Sequence, residues 1–362
     1  MIYINGKFLA QRTTGVQRFA RGLVEALDRS MQGMPCEHDV ELLMPPSAET
    51  IPDLQVIRQR VVGRSGRSLI LWEQLDLPWY SRGRTLLCLS GSAPLLISNC
   101  VPTIHDVAIY LYPHAYSWTF FTWYRLLFAL RAKCSPLVLT VSENSANGLA
   151  SHLPGPAYRV VSNSAEHIIV YPADTSVLRL LGLTSGRFLL AVGSLNPTKN
   201  LSSLINAYMT SSLADQSPLV IVGAINRDVF SIDSLDIDHP NVIWAGAITD
   251  SQLRALYENA AVFVFPSLYE GFGIPPLEAM ICGCPVIASN AASIPEVCED
   301  AAHYFDPHNS NEMIAAIKYV LQNDSYRLSL IEKGHRRAIA FSWENSAKSL
   351  RSALAEFNFI DK

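Results

Sequence analysis

Glu270 and Glu278 are separated by seven residues in the stretch PSLYEGFGIPPLEAMICGCPVIAS, with two glycines, Gly271 and Gly273, just after the first of them. An ionised carboxylate only accepts hydrogen bonds and can take two at once. Glycines beside it let backbone amides approach a ligand closely. Upstream, SLNPTKNLSSLI places Lys199 at the expected start of a helix, where the dipole disfavours positive charge, so an anion is expected to share its site. In the first half, RTTGVQRFARGL puts Gly15 behind Thr13 and Thr14. Either threonine can cap a helix, and Gly15 opens its N-terminus to an anion. VPTIHD ends in His105 and Asp106. Such a pair either holds a sugar hydroxyl or closes a strand as satisfied polar groups.

The elements that must position these residues follow from the pattern of apolar runs. IYING, DVELLM, TLLCLS, VPTIHD, LVLTVS and YRVVSN punctuate the first half, and RFLLAVGS, PLVIVGA, NVIWAG, AVFVFPS, CPVIAS and AHYFDP the second. Between them lie helix-period segments such as Val16-Phe19-Ala20-Leu23-Leu27 and Leu201-Leu204-Ile205-Tyr208. Strands apolar throughout, alternating with helices, make parallel sheets covered on both faces. Two successive series predict two doubly wound α/β domains. The boundaries are set at 1–170, 171–342 and a closing helix 343–362, with the strand signals lapsing between Pro172 and Arg187.

In open parallel sheets ligands bind beyond the carboxyl ends of the strands. Glu270 falls in the loop after AVFVFPS, Pro275 opens the next helix at a position proline favours, and Glu278 lies about one turn inside it. Two carboxylates around a helix start suited to phosphate fit a ligand both hydroxyl-rich and phosphorylated, such as a nucleotide sugar.

Composition narrows the alternatives. At 362 residues with 49% hydrophobic and 17% charged, the chain holds enough apolar mass for two cores. Seven cysteines without a C-x-x-C pair read as reduced thiols, and no metal site is expected. G-x-G-x-x-G, a Walker A loop and G-x-S-x-G are missing, which counts against nicotinamide, P-loop and serine-hydrolase chemistry. Asp236-Ile237-Asp238 mimics a D-x-D metal motif but sits in the acidic loop SIDSLDIDHP and reads as solvated surface. With pI 6.1 and no nucleic-acid motif, RNA and DNA are not expected partners. The start of the chain carries no signal-peptide pattern, and AYSWTFFTWYRLLFALRAKC is broken by Arg125 and Arg131, so no membrane span is expected.

EGFGIPPLE, with GSLNPTKN upstream and TGVQRFARGL and TIHD in the first half, resembles the retaining GT-B glycosyltransferases of bacterial polysaccharide and lipopolysaccharide assembly. The resemblance covers the whole chain in order. It implies two facing Rossmann-like domains, the donor held by the C-terminal one, and a last helix, FSWENSAKSLRSALAEF, that crosses back onto the first. It further implies that Glu278 accepts from the ribose hydroxyls and Glu270 holds the transferred sugar. The amides of Phe272 and Gly273 would sit near that sugar, and Gly271, Ile274 and Ser194 would also belong to the donor site. Lys199 and Gly15 would meet the diphosphate, and His105 and Asp106 would lie beside the reacting sugar. Many relatives carry an arginine where Ser194 stands; Arg18, Arg12 or Arg227 could replace its charge.

The implied reaction retains anomeric configuration without metal or cofactor, with mannose from GDP-mannose as the favoured donor and a glycan or lipid-diphosphate-linked acceptor. A non-hydrolysing sugar-nucleotide epimerase and a non-catalytic scaffold share the fold and remain the alternatives. Residues 1–165 carry 15 basic against 11 acidic side chains, with Arg58, Arg60, Arg64, Arg67, Arg82 and Arg84 in one stretch. This is either a solvated loop or a surface for anionic membrane. With the aromatic run Trp118, Phe120, Phe121, Trp123, Tyr124 and Phe128, itself read more as core, it predicts a cytoplasmic protein associating reversibly with the inner membrane face.

Overall fold

The computed structural model describes residues 1–33, 40–51, 53–223 and 240–359. They form two compact units: Met1–Asn163 together with Trp343–Lys362, and Ser164–Ser342. In the first, strands β1 (Ile2–Asn5), β2 (Val40–Met44), β3 (Arg58–Val61), β4 (Thr85–Cys88) and β5 (Cys100–Pro102) make a parallel sheet in the order β3-β2-β1-β4-β5. β6 (Leu137–Thr140) and β7 (Ala157–Val160) continue the series as a parallel pair, bridged to it where Ile104 N–H donates to Leu139 O at 2.9 Å. In the second, β8 (Leu189–Val192), β9 (Leu219–Val222), β10 (Val242–Gly246), β11 (Val262–Phe265), β12 (Val286–Ser289) and β13 (Ala302–Phe305) run β10-β9-β8-β11-β12-β13, all parallel. In each sheet the order reverses beside the first strand, between β1 and β4 and between β8 and β11. These are the topological switch points of a doubly wound fold.

Helices of eight residues or more are α1 (Gly15–Met31), α2 (Trp118–Cys134), α3 (Glu143–His152), α4 (Leu201–Met209), α5 (Asp250–Asn259), α6 (Ile274–Ile281), α7 (Ser310–Gln322), α8 (Asp324–Ala340) and α9 (Trp343–Glu356). α4 buries Leu204, Ile205 and Tyr208 on Leu189, Leu219, Ile221 and Val262, and α7 adds Ile317 and Val320 to the same core. Strands such as VFVF and LVIV are buried at every position because helices cover both faces.

Twelve of the strands coincide with the apolar runs read from the sequence. β3 was not foreseen: RQRV is a polar, exposed edge strand, which needs no apolar alternation. Its approach is fixed by the buried carboxylate of Asp28, which accepts from the amides of Gln55, Val56 and Ile57 at 3.0, 2.9 and 2.7 Å. Arg58 and Arg60 are therefore strand residues.

The division between units falls at Asn163, seven residues before the expected one. Residues 164–171 go with the second unit, because Arg254 of α5 donates to the carbonyls of Ile169 and Tyr171 at 3.2 and 2.9 Å. α9 belongs to the first unit. Trp343 packs against Gly22 of α1, where a Cβ would come within 2.3 Å of its ring. Ser346 Oγ donates to Ser162 O at 2.7 Å, and Arg159 pairs with Glu356.

Candidate active site

The loops leaving β8 and β11 converge at the second switch point. The chain leaving β8 runs close against the end of β9: a Cβ on Gly223, at φ +151°, would come within 2.0 Å of the Gly193 carbonyl oxygen. Asn196 accepts from Thr198 N at 3.0 Å and opens a 3-10 turn, Pro197–Lys199, and Asn200 takes a left-handed conformation before α4 begins. Lys199 is thus not in the first turn of the helix, as expected, but on the turn that precedes it. After β11, Leu268 N–H donates to Thr198 O at 2.7 Å and ties the two loops together.

Within this frame Lys199 Nζ meets both oxygens of Glu270, at 2.7 and 2.8 Å, and Ser267 Oγ donates to Oε1 at 2.7 Å. The anion that shares the lysine's site in this structure is the Glu270 carboxylate. Lys199 keeps 28% of its side-chain surface and Glu270 11%, so the pair is partly open to solvent. Ser293 Oγ donates to the carbonyls of Glu270 and Phe272, both at 2.9 Å, and holds the loop's shape from behind. Ser194 is exposed on the opposite loop.

Gly273, at φ +100°, leads into α6 from a conformation that favours glycine. The helix opens with Ile274, and Pro275 and Pro276 follow with no N–H to offer. Within the first turn the N–H donors are therefore Ile274 and Leu277. Gly271 supplies backbone next to Glu270, whereas the Phe272 ring is buried edge-on against Phe341, centroids 5.4 Å apart. Glu278, 6% exposed, takes His167 Nε2 on Oε1 at 2.8 Å and Tyr257 Oη on Oε2 at 3.0 Å. Burial first, and then the adjacent carboxylate, push the Tyr257 phenol well above its ordinary range, so it remains a donor.

The first unit holds the remaining candidates. Thr14, rather than Thr13, caps α1, its backbone N–H donating to Gln17 Oε1 at 3.2 Å, and Gly15 is the first helical residue. His105 Nε2 lies 3.1 Å from Leu89 O; a carbonyl only accepts, so the proton sits on Nε2 and Nδ1 carries the lone pair. Burial lowers the imidazole from 6.5 to about 4, against the opposing hydrogen bond to Leu89, and the ring packs edge-on against Phe19. Asp106 Oδ1 accepts from Ala108 N at 2.7 Å, so one carboxylate oxygen caps the next turn. Gly91, in the loop after β4, lies between His105 and Val16; a Cβ there would stand 3.7 and 4.0 Å from them. Gly15 and His105 therefore gather on one edge of the first sheet, while Lys199, Glu270 and Glu278 gather on the second.

Sequence reasoning missed the supporting residues: Ser267, Ser293, His167 and Tyr257, and in the first unit a buried network after β1. There Lys7 Nζ pairs with Glu73 Oε2 at 2.7 Å and donates to Ser92 Oγ at 3.1 Å, while Asn5 Nδ2 and Ser92 Oγ meet Glu73 Oε1 at 2.8 and 2.7 Å. No regular spacing announces them: the partners stand anywhere from 3 positions apart, as Ser267 and Glu270, to 111, as His167 and Glu278, and meet only in the fold. Asp236-Ile237-Asp238 and Arg227 lie outside the described residues. Among the described residues no cluster of His, Cys, Asp and Glu is arranged to hold a metal ion, and no helix is long and apolar enough to cross a membrane.

Two parallel, doubly wound units with polar loops gathered at their switch points define a GT-B fold. Sucrose-phosphate synthase from Thermosynechococcus elongatus superposes with a TM-score of 0.73 over 99% of this chain and 98% of its own, at 19% identity. Residues 182–337 match the model of the family "Glycosyl transferases group 1". The Escherichia coli O-antigen chain mannosyltransferase B is 32% identical over 262 residues, 70% of this chain and 69% of that protein. The serotype-specific mannosyltransferase WbdA of Escherichia coli is 30% identical over 232 residues, 61% of this chain, which spans only 27% of that protein's length. The chain belongs to the group 1 glycosyl transferases.

Proposed function

We propose that this glycosyltransferase moves mannose from a nucleotide diphosphate donor, GDP-mannose foremost, to a glycan or lipid-diphosphate-linked acceptor in cell-surface polysaccharide synthesis. The mannosyltransferase relatives support the sugar. The observation that carries the reading is the Lys199–Glu270–Ser267 arrangement at the β8/β11 switch point. The ammonium and carboxylate satisfy each other. A sugar diphosphate offers each a better-matched partner: phosphate oxygens for Lys199 and sugar hydroxyls for Glu270. Glu278, with two oxygens each holding one donor, has further lone pairs for a ribose diol.

The proposed transfer retains configuration. The bond from the sugar's anomeric carbon to the diphosphate breaks, and the bond to the acceptor oxygen forms on the same face. The acceptor's proton passes to the departing phosphate oxygen. Lys199 stabilises the charge that develops on the leaving group, and backbone amides near Ile274 add to it. No metal or cofactor is assigned a role. His105, neutral near pH 7, would contribute a lone pair on Nδ1 and no charge.

Membrane association is part of the proposal. The helical stretch 69–80 exposes Ile70, Leu71, Leu75 and Trp79, the last at 71%; in α2 Trp118 and Phe120 are exposed too, while Phe128 is buried as read and Phe121, Trp123 and Tyr124 are half-buried. Arg60 stacks on Tyr80, and Arg58, Arg64, Arg82 and Arg84 are exposed. Arg67 is paired with Asp76 at 2.5 Å and contributes less.

The test is a binding screen of GDP-, UDP-, dTDP- and ADP-sugars by thermal shift, followed by NMR of the product formed from the best donor in EDTA. Saturating ligand at about 100 times Kd adds roughly 2.7 kcal/mol of stability. A donor-dependent shift and an α-linked product from an α-linked donor are expected. No shift with any sugar, an inverted product or a rate abolished by EDTA and restored by Mg²⁺ would each overturn the corresponding part.

A further inference from the structure

We infer that His167 and Tyr257 are positioning residues that aim Glu278 at the nucleotide's ribose. The inference rests on the donor-site reading above. The carboxylate of Glu278 is 6% exposed, and its partners come from two other elements: His167 from the 3-10 turn Glu166–Ile169, and Tyr257 from α5. Each oxygen receives one donor from the protein, at 2.8 and 3.0 Å. A carboxylate has about four acceptor positions, so this clamp uses one per oxygen and leaves one per oxygen for a vicinal diol. The rotation of the carboxyl plane, and hence the direction of the remaining lone pairs, is fixed by these two bonds.

The clamp is built to hold its geometry. The turn bearing His167 is capped by Ser164 Oγ, which accepts from Glu166 N at 3.1 Å. Arg254 ties Ile169 and Tyr171 to α5, the helix that also carries Tyr257. Among the described residues the buried His167 Nδ1 has no hydrogen-bond partner, and the ring's one bond to them is the bond to Glu278. Such a side chain has no other visible duty for its polar atoms. A buried nitrogen left unpartnered costs stability, and its retention is explained if Nε2 serves the ligand through Glu278.

Affinity for GDP, UDP and ADP, each measured beside its 2′,3′-dideoxy analogue by titration calorimetry, tests this. Wild type should bind the ribose form of the preferred base more tightly than its dideoxy form. His167→Ala should weaken the ribose form about tenfold, the size of one hydrogen bond to a charged group, and leave the dideoxy form unchanged. Tyr257→Phe should behave likewise, and His167→Gln, which keeps an N–H donor, should recover most of the loss. Equal weakening of both forms in His167→Ala and Tyr257→Phe, or no weakening in either, would overturn the inference. A wild-type protein that binds none of the three, or does not distinguish ribose from dideoxyribose, would overturn the donor-site reading itself.

Discussion

Lys199 and Glu270, 71 positions apart in sequence, form a two-point ion pair in which one ammonium meets both carboxylate oxygens. The pair joins the loops that leave the two strands flanking the switch point of the second sheet. A cation and a hydrogen-bond acceptor are thereby held at one spot, the two groups the proposed donor would use.

The pair is testable by deletion. Glu270→Ala should lower turnover, and Lys199→Ala and Glu278→Ala should weaken donor binding, each by roughly tenfold to a hundredfold, since a charged hydrogen bond contributes about 1.5–3 kcal/mol. Steady-state kinetics with the best donor separates the two effects. Near-native rates in all three folded variants would remove these loops from the donor site.

A second prediction concerns the buried pair in the first unit. Glu73→Ala leaves the Lys7 ammonium inside the protein with only Ser92 beside it. Removing one partner of a buried ion pair costs about 3–5 kcal/mol, whereas replacing both by apolar groups is often neutral. Urea midpoints should therefore fall steeply for Glu73→Ala and recover in part in Lys7→Met with Glu73→Leu, where Asn5 and Ser92 still lose their acceptor. A small change in the single variant would show that the cavity admits water.

His105 makes stability depend on pH. Its folded value, about 4, lies below the ordinary 6.5, so between these values the unfolded chain binds more protons. Stability from this group is complete above about pH 6.5 and is lost as pH falls toward 4. His105→Gln should lack that component, so the gap between its urea midpoint and the wild-type one should change between pH 7.5 and pH 4.5. A constant gap would mean the ring is solvated in the folded state.

The exposed stretch 69–80 and its arginines predict salt-sensitive membrane binding. Sedimentation with anionic vesicles should exceed that with neutral ones and decline as salt rises, because the Debye length shortens from about 10 Å at 0.1 M to 3 Å at 1 M. Trp79→Ser should weaken it further. Equal binding to both vesicle types, or none, would return these arginines to ordinary surface.

Much of this protein was legible in one dimension. Twelve strands are short runs apolar at nearly every position, because a sheet covered on both faces leaves no polar side, and that signature needs no knowledge of partners. Glu270, Glu278 and Lys199 stood out for the same reason: they follow or flank such runs, where a parallel sheet presents its loops. β3 escaped because an edge strand of arginines and a glutamine buries too little to leave a pattern. The division at Asn163 escaped because it depends on what Arg254 grips, not on where strands stop. Most of all, the tertiary structure decided which charges meet. Lys199 with Glu270, His167 and Tyr257 with Glu278, and Lys7 with Glu73 pair across 21 to 111 positions, with strands and helices in between. Hydrogen bonds of this kind act over about 3 Å and leave no period in the sequence, so only the packing of the strands and helices brings their two ends together.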